Sequence, residues 1–364
     1  MVRLAISPRL RTSPYYEATL AAGMTDATIY NHMVMPTSYG DPAAEYHRLL
    51  EAVAVWDVAC ERQVEVVGAD AARLVQYLCS RDLSTLQVGQ ARYVALCDHD
   101  GRLINDPVLL RLGEARFWLS LADSDVLLWV KAVAEESGFD VAVSEPDASP
   151  LAVQGPLAED VVATLVGDWV RDLRYFWFGQ HDLDGIPLLV ARSGWSKQGG
   201  FELYLLDETR GTDLWDAVME AGAPHGIGPG APNHVERVES GLLSYGTDTY
   251  PDSNPFEAGL GRYVDVDVDV EFIGKAALRR IAAEGPRRTL TGLLVEGVVD
   301  SSQPLDRSIA VHAGDTVVGR LSAMVRSPRL GRTIALAQVE TARLGDELRI
   351  PDGRMVVPTA LPFV

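Results

Sequence analysis

Hydrophobic residues in the first half of the chain recur with two spacings, one typical of helices and one of strands. The spacing i, i+3, i+4, i+7 predicts a helix from the apolar positions Val126, Trp129, Val130 and Val133. The segment AARLVQYLCS after Asp70 has the same helical character. Between the two, runs rich in β-branched and aromatic residues predict short strands at 91–98, 102–112 and 115–122. Short turns separate them, so antiparallel pairing is expected.

The order helix, three strands, helix then occurs again. A strand is expected at 139–145, and Pro156 is expected at the first position of a helix near 157–166. Strand-like runs follow near 174–180, 186–192 and 200–206, with a helix from about 212 to 221. This repetition predicts an α+β fold of two related antiparallel-sheet and helix modules, and not a doubly wound parallel sheet.

The last third changes character. Asn233 is the expected N-cap of a helix over 234–246, and a loop rich in Pro, Gly and Asp follows. A linker is predicted near 282–287, and evenly spaced β runs with glycine turns beyond it predict a small C-terminal barrel or sandwich. The predicted organisation is one region over 1–281, divided near residue 150, and a β-barrel domain over 287–364.

Composition narrows the function classes. The 364 residues are 47% hydrophobic and carry a formal net charge of −19, which disfavours nucleic acid as a partner. Runs of eighteen apolar residues are absent, and the start of the sequence does not resemble a secretion signal, so we expect no membrane partner and a cytoplasmic location.

Familiar cofactor and metal motifs are not evident. The three cysteines lack CxxC spacing and are predicted to be buried thiols, and the seven histidines are too scattered to predict a metal site. The glycines at 226, 228 and 230 are interrupted by prolines and predict a loop. The DVDVDV run at 265–270 predicts a half-buried strand whose carboxylates point the same way, which does not suit calcium.

Two segments are candidates for chemistry. In RLINDPVLL, Asn105 and Asp106 interrupt an apolar run before Pro107, which predicts an edge or bulge that aims a carboxylate into a cavity; a simple turn is the alternative. In SGWSKQGGFELY, a glycine pair precedes a strand with Glu202 and Tyr204, beside Trp195. Two aromatics with an acid are typical of a cation-binding set, and a structural hairpin with a core aromatic is the alternative.

These segments resemble the folate-dependent family of the glycine cleavage T-protein. GRLINDP at 101–107, GWSKQGGFE at 194–202 and RVESGL at 237–242 match three of the family's motifs in order, and VQGP, NPFEAGLG, FIGKAAL and SPRLGRTIALAQV add further matches. Departures from the glycine cleavage enzyme lie at Asn105 and in the GWSKQGG hairpin. With SPRLRTSP, YNHMVMP, VWDVACERQVEV (55–66) and ADSDVLLWVK, the sequence is similar to the dimethylsulfoniopropionate demethylases within that family.

The resemblance implies three domains around a central folate channel, compatible with the two modules and the barrel, and a set of site residues. It places Asp106 near N5 of tetrahydrofolate as the catalytic residue. It implies further folate contacts at Tyr93, Val108, Glu202 and Arg237, with Arg237 facing the carboxylate tail. It implies that Trp195 borders the methyl donor, with Tyr204 and Ser120 at the donor's two ends. For Arg237, an intrahelical ion pair with Glu236 or Glu239 is the alternative.

The implied reaction moves a methyl group from the sulfonium of dimethylsulfoniopropionate to N5 of tetrahydrofolate, giving methylmercaptopropionate and 5-methyltetrahydrofolate. A sulfonium methyl is already activated, so alignment and desolvation matter more than a nucleophilic residue or a metal. Three alternatives stay open: a glycine cleavage aminomethyltransferase with a lipoyl carrier protein as partner, a betaine-type ammonium demethylase, and a folate-binding module without transfer activity.

Overall fold

The computed structural model describes residues 7–299 and 304–364. Residues 1–6 of the predicted region 1–281, and residues 300–303 of the predicted barrel domain, lie outside the described residues. The described helices are α1 Tyr16–Ala21, α2 Pro42–Glu51, α3 Ala71–Leu78, α4 Val126–Glu136, α5 Ala158–Val166, α6 Gly211–Gly222, α7 His234–Glu239 and α8 Lys275–Glu284. None of these helices is long and apolar enough to cross a membrane.

The described strands are β1 Asp26–Tyr30, β2 Met33–Ser38, β3 Ala54–Asp57, β4 Gln63–Val67, β5 Ala91–Tyr93, β6 Leu96–Cys97, β7 Leu103–Asn105, β8 Val108–Gly113, β9 Arg116–Ser120, β10 Ala142–Ser144, β11 Ser149–Gln154, β12 Phe178–Leu183, β13 Ile186–Ala191, β14 Gly200–Leu205, β15 Gly228–Gly230, β16 Arg288–Val295, β17 Ile309–Ala313, β18 Thr316–Ser327, β19 Arg332–Glu340, β20 Leu348–Arg349 and β21 Met355–Thr359.

The chain divides into two compact units, each built from separate stretches of sequence. The first unit takes residues up to Ala69, Leu86–Arg92 and Leu109–Asn233. The second takes Asp70–Thr85, Tyr93–Val108 and the chain from His234 onward. The predicted folate and donor residues are therefore shared between units, with four in each.

The first unit contains two large sheets. One has the strand order β12-β13-β14-β11-β3-β15, in which β15 pairs parallel with β3 and the other pairs are antiparallel. Helices α5 and α6 pack on each other, and α5 also packs on β14. The buried core of this layer includes Val161, Val162, Leu203, Leu214 and Trp215. The other sheet has the order β10-β4-β9-β8-β5.

The second unit holds a closed barrel, which among the described residues has the strand order β16-β19-β18-β17-β20-β21. Its interior is filled by apolar side chains that include Leu293, Val311, Leu321, Ala337 and Val339. Helix α7 packs on β18 and β19. The expectation of a barrel or sandwich is thus resolved as a barrel, closed by a short strand at 348–349 that the sequence pattern did not indicate.

Several sequence predictions are wrong in detail. The DVDVDV run is not a strand: Lys275 Nζ donates to the carbonyls of Val268 and Val270 at 2.7 and 2.6 Å, so one side-chain cation, and not a neighbouring strand, occupies these acceptors. The expected loop around residue 228 contains β15 instead. This strand pairs parallel with β3, and Gly228 lies against Arg48, whose guanidinium would be 2.6 Å from a Cβ there.

Element boundaries also differ from the predictions. Pro156 precedes the helix and is not its first residue, because Leu157 is the N-cap and α5 begins at Ala158. Helix α7 ends at Glu239, since Gly241 adopts a left-handed φ of +62° that terminates it. The strand expected at 174–180 begins only at Phe178 because Phe176 has a positive φ. The linker shrinks to 285–287, because α8 continues to Glu284.

Candidate functional site

Asp106 lies where the apolar run of the second predicted strand breaks. Strand β7 ends at Asn105, β8 begins at Val108, and the carbonyl of Pro107 accepts from the amide of Val94. Asp106 is 8% exposed. Its Oδ2 accepts a hydrogen bond from the Tyr93 hydroxyl at 2.5 Å, and its buried Oδ1 has no partner among the described residues. A buried carboxyl oxygen without a partner suits a ligand atom.

The surroundings of Asp106 place its titration near neutrality. Burial raises the pKa of Asp106 to about 7, the hydrogen bond from Tyr93 opposes the rise, and the negative charge of Asp248 adds to it. Tyr93 is itself held by an edge-on contact with Tyr263, with ring centroids 4.9 Å apart. The second unit therefore holds a carboxyl group that changes charge close to pH 7.

Arg237 is buried in the second unit and has a carboxylate partner other than the expected ones. Its Nη1 lies 2.9 Å from Asp248 Oδ2, so the pair is neither with Glu236 nor with Glu239. Its Nε donates to Nδ1 of His234 at 3.4 Å. Burial lowers the pKa of His234 to about 3, and the charge of Arg237 adds to the effect, so this ring is neutral. A ligand carboxylate at Arg237 would share the cation with Asp248.

Glu202 and Tyr204 face the same side of β14 in the first unit, as the period of two requires. Glu202 is 5% exposed, and its Oε2 accepts from the Ser193 hydroxyl and, at 3.2 Å, from the Tyr204 hydroxyl. Burial raises the pKa of Glu202, while the bonds from Ser193 and Tyr204 oppose the rise. The ring of Trp118 lies 6.1 Å from that of Tyr204.

Trp195 lies half-buried in the loop between β13 and β14. The loop is anchored on Gln154, whose Nε2 donates to the carbonyl of Ser193 and whose Oε1 accepts from Ser196 at 2.8 Å. Gly194 must be glycine, because a Cβ there would lie 2.0 Å from the Gln154 amide and its φ is +144°. The sequence prediction of a sharp bend before β14 is confirmed.

The structure brings the predicted residues together in two groups. Tyr93 and Asp106 are in direct contact in the second unit, where Val108 and Arg237 also lie. Ser120, Tyr204 and Glu202 are linked in the first unit, where Trp195 also lies.

Sequence reasoning missed four polar residues of the candidate site: Asp248, His234, Ser193 and Gln63. Of these, Ser193 lies in the segment 193–204 and Gln63 in the segment VWDVACERQVEV, so a search for buried polar residues within matched segments could have found both. Among residues 7–299 and 304–364, no group of three or more His, Cys, Asp or Glu side chains is arranged to hold a metal ion.

Comparison with known families identifies the chain. The family described as GCVT N-terminal domain matches residues 16–268. The chain belongs to this family. It is 42% identical over 357 residues to dimethylsulfoniopropionate demethylase DmdA of Ruegeria pomeroyi, covering 97% of each chain. It is 32% identical to an aminomethyltransferase of Streptomyces avermitilis, covering 92% of this chain and 90% of that one.

The fold agrees with that of a solved family member. The glycine cleavage system aminomethyltransferase T of Bartonella henselae superposes with a TM-score of 0.85 at 24% identity, covering 98% of each chain. The α+β class with a C-terminal barrel, predicted from the sequence, is therefore confirmed, as is the family to which the motifs pointed.

Proposed function

We propose that this protein is a tetrahydrofolate-dependent demethylase that moves a methyl group from the sulfonium of dimethylsulfoniopropionate to N5 of tetrahydrofolate. The observation that carries the proposal is the 42% identity to a dimethylsulfoniopropionate demethylase over 97% of each chain. The aminomethyltransferase relative is 32% identical, so the demethylase is favoured among the alternatives. The products are methylmercaptopropionate and 5-methyltetrahydrofolate.

Asp106 is proposed as the catalytic residue beside N5. Positive charge begins on sulfur, and it reaches nitrogen as the carbon–sulfur bond breaks and the carbon–nitrogen bond forms. An ionised carboxylate next to the nitrogen stabilises that charge more in the transition state than in the ground state. The partnerless Oδ1 of Asp106 supports this role, and the bond from Tyr93 to Oδ2 fixes the direction in which Oδ1 points.

The other predicted residues serve binding and alignment. Glu202 is proposed to accept hydrogen bonds from adjacent N–H groups of the pterin, which a carboxylate can take as a pair. Trp195 is proposed to border the sulfonium, with Ser120 and Tyr204 at the ends of the donor, and Tyr93, Val108 and Arg237 are proposed to contact folate. All of these residues lie within the proposed catalytic region 1–281 and none in 287–364.

One assay tests the proposal. The protein is incubated with tetrahydrofolate and dimethylsulfoniopropionate, and 5-methyltetrahydrofolate and methylmercaptopropionate are measured in equal amounts. Turnover only with an aminomethyl-lipoyl carrier protein, accompanied by ammonia release, would establish the aminomethyltransferase instead. Transfer from glycine betaine in place of the sulfonium would establish the ammonium demethylase. Folate binding without transfer from any of these donors would leave a binding module.

A further inference from the structure

A buried glutamine lies next to the predicted site in the first unit. Gln63 begins β4 and pairs across the sheet with Ser120, the last residue of β9. Its side chain is 1% exposed, and its Nε2 donates to the carbonyl of Glu61 at 2.5 Å and to Ser120 Oγ at 3.1 Å. A carbonyl oxygen can only accept, so the contact with Glu61 decides which end of the amide faces it. Gln63 therefore presents a donor, not an acceptor, to Ser120.

The next two residues of the hydrogen-bond chain, Ser120 and Tyr204, each have a single hydroxyl proton to donate. Burial raises the pKa of the Tyr204 phenol, the charge of Glu202 adds to the rise, and a hydrogen bond with Ser120 opposes it. The Tyr204 hydroxyl donates its single proton in a hydrogen bond to Glu202 Oε2, 3.2 Å away, so in its contact with Ser120 it accepts. The hydrogen bonds thus run in one direction, from the amide of Gln63 through two hydroxyls to a carboxylate. All four residues belong to the first unit.

We propose that Gln63 is a positioning residue, whose amide sets the direction of this chain so that the Tyr204 hydroxyl donates its hydrogen bond to Glu202, which favours the ionised carboxylate and orients it for its ligand. The inference rests on the proposed function, because it takes Glu202 as the group that accepts hydrogen bonds from the pterin. Gln63 itself touches no reacting atom in this proposal and acts three hydrogen bonds away.

The arrangement at Glu202 shows why the direction matters. The bonds from Ser193 and Tyr204 both end on Oε2, so neither uses Oε1, which stays available to a ligand donor. Both bonds oppose the rise in the pKa of Glu202 that burial causes. Its pairing partners across the sheet, Ala152 and Ala191, are uncharged. The two hydroxyl donors accordingly favour the ionised form of Glu202 against the effect of burial.

Gln63→Glu tests the direction of the chain, because it keeps the shape of the side chain and exchanges the amide nitrogen for oxygen. The new carboxyl group is buried against the Glu61 carbonyl, so it keeps its single proton for that contact and presents a lone pair to Ser120. The Ser120 hydroxyl then turns towards position 63. Tyr204 can in turn donate to Ser120 in place of Glu202, which loses one of its two hydroxyl donors.

The measurement is the dissociation constant of 5-methyltetrahydrofolate between pH 5 and 8.5, followed by protein fluorescence. Binding needs ionised Glu202, so affinity falls as the pH drops through its pKa. Loss of one donor raises that pKa. The acid limb of the binding curve, which is the pH range where affinity is lost on acidification, therefore moves upward by about half to one pH unit in Gln63→Glu. A purely structural defect would weaken binding at every pH and leave the limb in place.

Two controls isolate the effect. Gln63→Met removes the amide donor without adding an acceptor, so the chain loses the group that sets its direction but is not reversed, and the limb moves upward by less than in Gln63→Glu. Gln180→Glu makes the same chemical change at an exposed position of β12, and its limb matches wild type.

A folded Gln63→Glu variant with an unshifted limb would overturn the inference. If that variant does not fold, Tyr204→Phe removes the last donor of the chain, and an unshifted limb there overturns the inference equally. A wild-type protein that neither binds 5-methyltetrahydrofolate nor demethylates dimethylsulfoniopropionate refutes the proposed function itself. If the wild-type protein binds 5-methyltetrahydrofolate and demethylates dimethylsulfoniopropionate, but the acid limb is unshifted in the variants, only the role of Gln63 is refuted.

Discussion

The role proposed for Asp106 requires two properties that are usually opposed. A carboxylate that must stabilise a cation has to be ionised, whereas burial favours its neutral form. Burial dominates in the absence of ligand and raises its pKa to about 7. A positive charge developing nearby would reverse the balance, since an opposite charge lowers the pKa of an acid. The side chain is therefore most strongly ionised when the proposed reaction needs it.

Replacing Asp106 with Asn is expected to lower kcat by roughly 100-fold while changing KM for dimethylsulfoniopropionate less than about threefold. The amide keeps the shape but cannot carry the charge that stabilises the developing cation. Steady-state kinetics at saturating folate measure both constants. In wild type, kcat/KM should also rise with pH through about 7 as Asp106 ionises in the free protein, and this rise should be absent from Asp106→Asn. Unchanged turnover in the variant would remove Asp106 from the mechanism.

The same substitution should stabilise the protein at alkaline pH. Burial raises the pKa of Asp106 from 3.8 in the unfolded chain to about 7 in the folded protein, so its contribution to stability is fully present below pH 3.8 and is lost as the pH rises through 7. Asn does not ionise, so the variant does not lose stability in this way as the pH rises. The free energy of unfolding of Asp106→Asn should therefore exceed that of wild type by a margin that grows from pH 4 to pH 8, as urea denaturation can measure. A margin independent of pH would contradict the raised pKa.

At the scale of elements, the hairpin that carries Trp195 and Glu202 depends on its glycines to different degrees. A Cβ at Gly200 would lie 2.4 Å from the carbonyl of Val153, and its φ of +148° disfavours any other residue. At Gly199 the φ is +80°, but no heavy atom lies within 4 Å of a Cβ. Substitutions at Gly199 and Gly200 therefore distinguish the effect of backbone conformation alone from the added effect of a steric clash.

Gly200→Ala should cost more than about 3 kcal/mol of stability and abolish folate binding, because β14 must move away from β11 and carry Glu202 with it. Gly199→Ala should cost only about 1 kcal/mol, the price of a left-handed alanine, and retain binding. Urea denaturation and fluorescence titration with 5-methyltetrahydrofolate compare the two variants. Equal losses in both would show that the contact with β11 does not position Glu202.

Elements with one dominant periodicity were predictable from the sequence, and elements defined by distant partners were not. Helices α3 and α4 follow from their apolar spacing, and the barrel strands follow from β runs between glycine turns. The DVDVDV run has a strand-like pattern, yet Lys275 takes its carbonyls. The local sequence has no signal for that competition.

The same limit applies to the candidate site. Asp106, Trp195 and Glu202 were selected as candidates because each interrupts or follows an unusual local pattern within a matched motif. The partners that tune them were not found: Asp248 lies far along the chain from Asp106, and Gln63 reaches Glu202 only through Ser120 and Tyr204. Cross-strand register places Gln63 opposite Ser120, and register becomes visible only in the folded sheet.

At the scale of the whole molecule, the net charge of −19 matters for the approach of the two substrates. Tetrahydrofolate carries two carboxylates and is repelled at long range, whereas dimethylsulfoniopropionate is a zwitterion with no net charge. Repulsion between exposed charges is screened by salt over a Debye length that falls from about 30 Å at 0.01 M to about 8 Å at 0.15 M. The two ligands should therefore respond differently to ionic strength.

The association rate constant of tetrahydrofolate should rise roughly two- to threefold between 10 and 150 mM NaCl, because screening weakens the repulsion. The affinity for dimethylsulfoniopropionate should change little over the same range. Stopped-flow fluorescence measures the first quantity and equilibrium titration the second. A fall in the folate rate with salt would mean that arginines near the site, Arg237 among them, create a local positive potential that outweighs the total charge. In that case, Arg237→Gln should remove part of the fall, which would assign the attraction to this residue.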